Sequence, residues 1–223
     1  AGIRRFRGQY AAFLEELAGP RFLGGIHDLL DGRFLGNRPS PLVSLLVDDC
    51  IARGRGYHNR GARYTVQAPH AGGLPDVANS LLVLKQQVYE TRRFTLAEMV
   101  AILRQNWRGH EPLRQAIRHQ TVFYGNADAD ADAMMVRVYG DYVAIGGRIR
   151  ERNGVLRPLG ISTFGREIAF RAHRKATPSG AVEGDILASN LAPTPGTDRL
   201  GPTAVIQSFC SMDFESLPNG VPL

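Results

Sequence analysis

The sequence is poor in cysteine, in lysine and in long apolar runs. Its two cysteines, Cys50 and Cys210, form no CxxC pair in 223 residues, which excludes a disulfide framework and a cysteine-ligated zinc site. No apolar run approaches the roughly 18–20 residues of a membrane-spanning helix, and no secretory signal pattern opens the chain. These absences favour a cytoplasmic protein without a membrane partner. Each cysteine follows or lies within an apolar run, so both are predicted to be small buried hydrophobic residues.

Arginine supplies nearly all of the positive charge. Lysine and arginine total 27 against 21 acidic residues, a net charge of +6, and the lysines are Lys85 and Lys175. A basic balance is compatible with nucleic acid or anionic substrates. The arginines are nevertheless dispersed and are not interleaved with aromatic residues, as a base-stacking surface requires. We therefore expect no nucleic-acid partner, although a basic binding module stays open as an alternative.

Helical periodicity dominates residues 1–147. Apolar residues recur every three or four positions over 3–19, which predicts a helix there. Thr95 and Glu98 have the spacing of a capping box, and Asp128 or Asp130 can cap a last helix that runs to about 145. Further helices are predicted at 21–31, at 42–53, from Pro75 past Val88, from 96 to Gly109 and at 111–119. A glycine-rich loop with one short strand at 62–66 is expected between them.

After Gly146 and Gly147 the pattern changes to short apolar runs between glycine, proline and serine. Runs at 159–164, 186–191 and 204–209 predict strands, so residues 148–223 are expected to be strand and loop, and the fold class to be α/β. The first residue is alanine, and Val221 and Leu223 are typical of the opening of a strand. We therefore expect residues 1–223 to be an internal segment of a larger domain.

The common chemical motifs fail at defining positions. The DxDxD pattern at 128–132 resembles a calcium loop, but Ala133 and Tyr139 stand where that loop needs glycine and glutamate. Arg114 replaces the second histidine of HExxH after His110. No GxGxxG, GxxxxGK[ST] or GxSxG pattern is present. Composition and spacing alone thus predict an α/β segment without a metal site or a nucleotide site.

Several blocks match one enzyme superfamily in the same order along the chain. The clearest are 60–64 (RGARY, against GGARY), 73–81 (GLPDVANSL, against GLANVADSL) and 176–180 (ATPSG, against ATPDG). Others are 41–50 (PLVSLLVDDC), 94–98 (FTLAE), 103–111 (LRQNWRGHE), 124–126 (YGN) and 196–204 (GTDRLGPTA). The chain therefore resembles the glycyl radical enzymes, the superfamily of pyruvate formate-lyase and the glycerol dehydratase-like enzymes. Ser179 and Ala181 replace the Asp and Arg of ATPDGR, which indicates a divergent subgroup. Asn79 replaces a common Asp, a change that the resemblance tolerates.

This resemblance implies a fold and a chemistry. The fold is part of a ten-stranded barrel with surrounding helices. The implied activity is that of a glycyl radical lyase or dehydratase, which cleaves a C–C or C–heteroatom bond of a small organic substrate by thiyl-radical hydrogen abstraction. A separate S-adenosylmethionine-dependent iron–sulfur activating enzyme installs the glycyl radical, and the full-length parent is expected to be a homodimer. The alternative is a catalytically inactive scaffold or a basic binding module.

No catalytic residue carries over from the resemblance. The radical glycine and the thiyl cysteine are expected outside this chain, because neither Cys50 nor Cys210 lies in a matching motif, and the segment alone is expected to be inactive. The candidate site is the segment 187–193 after ATPSG, whose counterpart lines the substrate pocket in the family. Ser189, Asn190 and Leu191 are therefore candidate substrate-binding residues, with ordinary barrel-strand residues as the alternative.

Overall fold

The computed structural model of the chain describes residues 2–34, 39–163 and 165–220. Its helices are α1 (Gly2–Ala18), α2 (Gly25–Phe34), α3 (Pro41–Leu46), α4 (Leu74–Leu84), α5 (Leu96–Arg104), α6 (Glu111–Gln120), α7 (Ala129–Gly146), α8 (Arg166–Ala169) and α9 (Pro202–Phe209). A π-helical turn, Pro20–Gly24, precedes α2, and another, Lys85–Glu90, continues α4. Short 3₁₀ turns occupy Tyr57–Asn59, Arg171–His173 and Phe214–Ser216. Within the described residues, no helix is both long and apolar enough to cross a membrane.

Local capping signals fix the ends of several helices as the sequence predicts. Thr95 Oγ1 accepts the N–H of Glu98 at 3.2 Å, and Glu98 Oε2 accepts the N–H of Thr95 at 2.7 Å, which is the complete capping box of α5. Asp128 Oδ1 accepts the backbone N–H groups of Asp130 and Ala131 at the start of α7. Pro75 lies in the first turn of α4, as expected.

Two pairs of short strands join the helices. Strand β1 (His70–Ala71) pairs with β4 (Gly160–Ile161) in the parallel direction. Strands β2 (Glu151–Arg152) and β3 (Val155–Leu156) form an antiparallel hairpin. Backbone bonds extend the parallel pairing on both sides. Leu156 N donates to Thr65 O, and on the other edge of β4 Asn219 N donates to Leu159 O at 3.0 Å. Segments 65–71, 156–161 and 219–220 therefore run side by side.

The hydrophobic core has two parts. The first lies between α4, α7 and the parallel strands, and its buried members are Leu74, Ala78, Tyr124, Met135, Val138, Tyr139, Leu159, Ile161, Leu191, Met212 and Leu217. The second joins α4 to α5 and α6 through Val83, Met99, Ile102, Trp107, Ile117 and Phe123. The parallel strands are thus covered by helices on the face that carries Leu159 and Ile161.

Two strand predictions in the last third are wrong, and a third is confirmed only in part. The run 204–209 is the helix α9, because Pro202 starts it and its buried residues, Ala204 and Ser208, are four positions apart. The run 186–191 contains no regular strand, since Asn190 has φ 52° and breaks the extended backbone. Residues 159–164 supply only the two-residue strand β4, and Phe164 lies outside the described residues. The expected strand opening at 221–223 also lies outside them.

Three details in the helical part differ as well. The predicted helix 42–53 ends at Leu46, because Val47 is extended and Asp49 has φ 73°. Leu42 and Leu46 are exposed. Residues 62–66 contain no regular strand and contribute a single bridge, Val66 to Leu156. Helix α5 ends at Arg104, and Gly109, at φ 75°, lies beyond it in the turns before α6.

The two cysteines do not share one environment. Cys50 is buried, which confirms the prediction, but Cys210 is exposed at the C-terminal end of α9.

Candidate functional site

The two parallel strands present different residues on their two faces. His70 pairs with Gly160 and Ala71 with Ile161, so His70 and Gly160 share one face, and Ala71 and Ile161 share the other. Ile161 is buried in the core, and Ala71 packs against it. His70 and Asn219 are exposed. The surface formed by His70, Gly160 and Asn219 is called the open face below.

On the open face an imidazole and an amide meet above a glycine. His70 Nε2 lies 2.8 Å from Asn219 Nδ2. A Cβ atom on Gly160 would lie 2.7 Å from His70 Cε1 and 3.0 Å from Asn219 Nδ2, so no larger residue fits there without moving the ring. Partial burial, followed by the positive charge of Arg166, lowers the pKa of His70. The ring is therefore neutral near pH 7.

The predicted site residues Ser189 and Asn190 lie at the end of β4. Asn190 Oδ1 accepts the backbone N–H of Thr163 at 3.0 Å, and the Ser189 and Thr163 hydroxyl oxygens are 3.0 Å apart. Leu191, by contrast, is fully buried in the core beside α4 and α7. The structure thus brings Ser189 and Asn190 together with Thr163 and separates Leu191 from them.

Glu167, in α8, adds a carboxylate to this polar cluster. Hydrogen bonding to the Thr163 hydroxyl is the main cause that holds its pKa below the usual range, with smaller contributions from Ser189 and Arg174. Its Oε2 atom is buried without a hydrogen-bond partner among the described residues. A buried acceptor of this kind can receive a hydrogen bond from a ligand hydroxyl or ammonium group.

Buried polar groups of α4 hold the ends of the segment 188–194. Asp76 Oδ2 accepts the N–H of Ala188 at 2.6 Å, and its Oδ1 accepts the hydroxyl of Thr194 at 2.9 Å. Asn79 Nδ2 donates to the same Thr194 oxygen, and Asn79 Oδ1 accepts the N–H of Tyr124. Burial raises the pKa of Asp76, and the two hydrogen bonds oppose that rise. These contacts fix where Ser189 and Asn190 stand.

The ATPSG loop is anchored from its helical neighbours. Trp107 Nε1 donates to Thr177 O at 3.2 Å, and Arg114 donates to Gly180 O at 3.0 Å. Gly180 has φ 95°, and a Cβ there would lie 2.7 Å from Arg118 Cγ. These contacts attach both ends of the loop to Trp107 and to α6.

Sequence reasoning missed three residues of this region. His70 and Asn219 lie in no motif, and Asp76 lies in the block 73–81 at a position where the matching pattern has asparagine. Their importance depends on the parallel register of β1 with β4 and on contacts across more than a hundred positions, which no local pattern reports. Across residues 2–34, 39–163 and 165–220, no three His, Cys, Asp or Glu side chains are grouped as metal ligands.

Comparison with known proteins places these observations in one family. The family model described as pyruvate formate lyase-like matches residues 33–170. The trans-4-hydroxy-L-proline dehydratase of Clostridioides difficile is 30% identical over 84% of this chain, and the (2S)-3-sulfopropanediol dehydratase of Klebsiella oxytoca is 31% identical over 86%. The chain spans about a quarter of the length of these relatives, 25% and 24% respectively.

Solved structures agree with the sequence matches. The B12-independent glycerol dehydratase of Clostridium butyricum superposes with a TM-score of 0.75 at 25% identity. The match covers 86% of this chain and 24% of the dehydratase chain. A glycyl radical enzyme of Archaeoglobus fulgidus gives a TM-score of 0.74 at 33% identity, covering 83% of this chain and 24% of its own.

Proposed function

The chain belongs to the pyruvate formate lyase-like family, and from that premise we propose that it is part of a glycyl radical lyase or dehydratase. The protein would cleave a C–C or C–heteroatom bond of a small organic substrate. The observation that carries this proposal is the match to two dehydratases over more than four fifths of the chain. We place the protein in the cytoplasm, as a homodimer, with the radical-installing activating enzyme as a further partner.

We propose that the parallel strands belong to the barrel implied by the family resemblance. Helices cover one face of the strand pair and leave the other open, as expected for strands in a barrel with an outer ring of helices. The remaining barrel strands, the radical glycine and the thiyl cysteine would come from other parts of the protein. Cys50 is buried, and Cys210 lies at the end of a helix, so neither is offered as the thiyl residue.

In this proposal the radical glycine and the thiyl cysteine carry out one part of the reaction, and the residues of this chain carry out another. The glycyl–cysteine pair supplies the hydrogen-atom abstraction that starts bond cleavage. The residues described above bind and orient the substrate and help to exclude water from the reaction. Ser189 and Asn190 offer a hydroxyl and an amide for substrate hydrogen bonds, and Leu191 acts from the core by holding the segment in place.

The radical itself is the first test of the proposed function. The full-length protein is incubated without oxygen with its activating enzyme and S-adenosylmethionine, and the electron paramagnetic resonance spectrum is recorded. A carbon-centred glycyl signal is expected, whereas its complete absence would contradict the proposal. The alternative, a basic binding module, predicts instead a nucleic-acid affinity that falls steeply as salt increases.

The site residues are tested in the activated protein. Ser189→Ala and Asn190→Ala are expected to raise KM or lower kcat while the radical yield stays unchanged. Ser216→Ala, in the 3₁₀ turn after α9, serves as the matched control, because its hydroxyl donates to the backbone of Asp213 away from Thr163. Wild-type kinetics in both site variants would remove these residues from the site.

A further inference from the structure

The two faces of the strand pair differ in what covers them. Leu159 and Ile161 are buried against α4 and α7, and Ala71 packs on the same side. The open face instead carries His70 and Asn219, which are exposed and bonded to each other. In a barrel ringed by helices, the outer face of each strand contacts the helices, so the opposite face lines the interior.

We infer that the open face lines the substrate cavity of the intact protein, with His70 contacting a small hydroxylated substrate and Asn219 positioning His70. This inference rests on the barrel of the proposed function. A neutral imidazole beside an amide exchanges hydrogen bonds with a hydroxyl group and requires no charge on the substrate. The pKa of His70, lowered by partial burial and by Arg166, agrees with a neutral ring.

Gly160 provides a sharp geometric probe of this inference. Its φ lies outside the left-handed region, so alanine suits the backbone, and the strain is confined to the side chains above it. The new methyl group would take the space occupied by His70 Cε1 and Asn219 Nδ2, at 2.7 and 3.0 Å. Gly160→Ala therefore displaces the imidazole without deleting it.

The kinetic test uses the full-length, activated protein with glycerol, propane-1,2-diol and trans-4-hydroxy-L-proline as probes. His70→Ala and Gly160→Ala should each lower kcat/KM at least about tenfold, the loss expected for one well-placed hydrogen bond. Their glycyl radical yield should equal that of the wild type. His119→Ala, an exposed histidine of α6, is the control and should keep wild-type values. Wild-type kcat/KM in both site variants would overturn the inference, whereas a wild-type protein without a radical would overturn the proposed function.

A second measurement does not depend on turnover. The full-length wild-type protein is treated with diethylpyrocarbonate, and histidine modification is followed by mass spectrometry. His70 should react at least about tenfold more slowly than His119 if it faces an enclosed cavity. Equal rates at the two residues would place His70 on the outer surface and overturn the inference even if none of the three probes is a substrate.

Discussion

Asp76 and Ala188, 112 positions apart in the sequence, are joined by a hydrogen bond of 2.6 Å from the backbone N–H to the carboxylate. The second carboxylate oxygen accepts the Thr194 hydroxyl, so one side chain of α4 holds both ends of the segment that contains Ser189 and Asn190. The carboxylate is almost fully buried, and Asn79 supplies the neighbouring amide. The stability of α4 and the position of the candidate site therefore depend on the same few hydrogen bonds.

This network predicts that Asp76 and Asn79 can exchange identities. In Asp76→Asn, Thr194 Oγ1 faces two amide donors and its own hydrogen loses its acceptor, so the free energy of unfolding should fall by about 1–3 kcal/mol. In the double variant Asp76→Asn/Asn79→Asp, the new carboxylate at 79 accepts both the Thr194 hydroxyl and the Tyr124 N–H, and every group is paired again. Urea unfolding should show the double variant to be more stable than Asp76→Asn alone.

The comparison includes Asn79→Asp by itself, which places two carboxylates around one hydroxyl and should also destabilise the protein. The three measurements form a double-mutant cycle. Additive losses in the double variant would show that the two side chains do not share Thr194 in the way described. The pattern GLANVADSL, which residues 73–81 resemble, has asparagine and aspartate in exchanged places, so the double variant has the residues of that pattern at 76 and 79.

Gly125 should tolerate no side chain. Its φ is 97°, and a Cβ would lie 2.3 Å from Pro193 Cγ, at the end of the candidate segment. Gly125→Ala should lower the free energy of unfolding by about 2–4 kcal/mol, because backbone strain and overpacking add. Gly109→Ala is the matched control, since Gly109 also has positive φ but no atom lies near its Cβ. Equal losses of unfolding free energy in the two variants would mean that Pro193 moves aside at no cost in free energy.

A buried ion pair ties α2 to the β2–β3 hairpin. Arg157 has no exposed side-chain surface, and its guanidinium pairs with Asp31 and with Gln67 Oε1. Asp31→Ala leaves that charge uncompensated and should cost about 3–5 kcal/mol in unfolding free energy. Asp28→Ala, one turn earlier, removes the exposed partner of Arg152 and should cost no more than about 1 kcal/mol. A small effect of Asp31→Ala in chemical denaturation would contradict the burial of this pair.

The elements that the sequence predicted well are those fixed by local signals. The capping box at Thr95 and Glu98, the Asp128 cap of α7 and the proline that starts α4 each depend on atoms within a few residues, and the structure confirms them. The order of the matching blocks also predicted the family, and the match of the family model to residues 33–170 confirms it.

The predictions that failed concern features that depend on contacts between residues far apart in the sequence. The run at 204–209 is rich in residues that favour strands, yet its burial follows a helical spacing that only the packed structure decides. His70 lacked any motif, and its place beside Gly160 follows from strand register. The sequence predicts Leu191 as a site residue because it lies in the segment 187–193. In the structure its side chain is packed in the core against α4 and α7, a position that the segment alone does not indicate. Its role in substrate binding stays a prediction.

The Glu98 carboxylate should give α5 a measurable pH dependence. Hydrogen bonds from the Thr95 N–H and hydroxyl hold the pKa of Glu98 below its usual value, so the unfolded chain binds this proton more readily than the folded chain does. The stabilisation is therefore complete above the unfolded pKa of about 4.3 and is lost as pH falls through the lower folded value. Glu98→Gln keeps a capping-box acceptor without a titrating group. The difference in unfolding free energy between wild type and Glu98→Gln should be constant at neutral pH and should shift against the wild type on acidification. A difference that does not change with pH would contradict the charged capping box. Thr95→Ala removes the other half of the box and should lower the free energy of unfolding by about 1 kcal/mol.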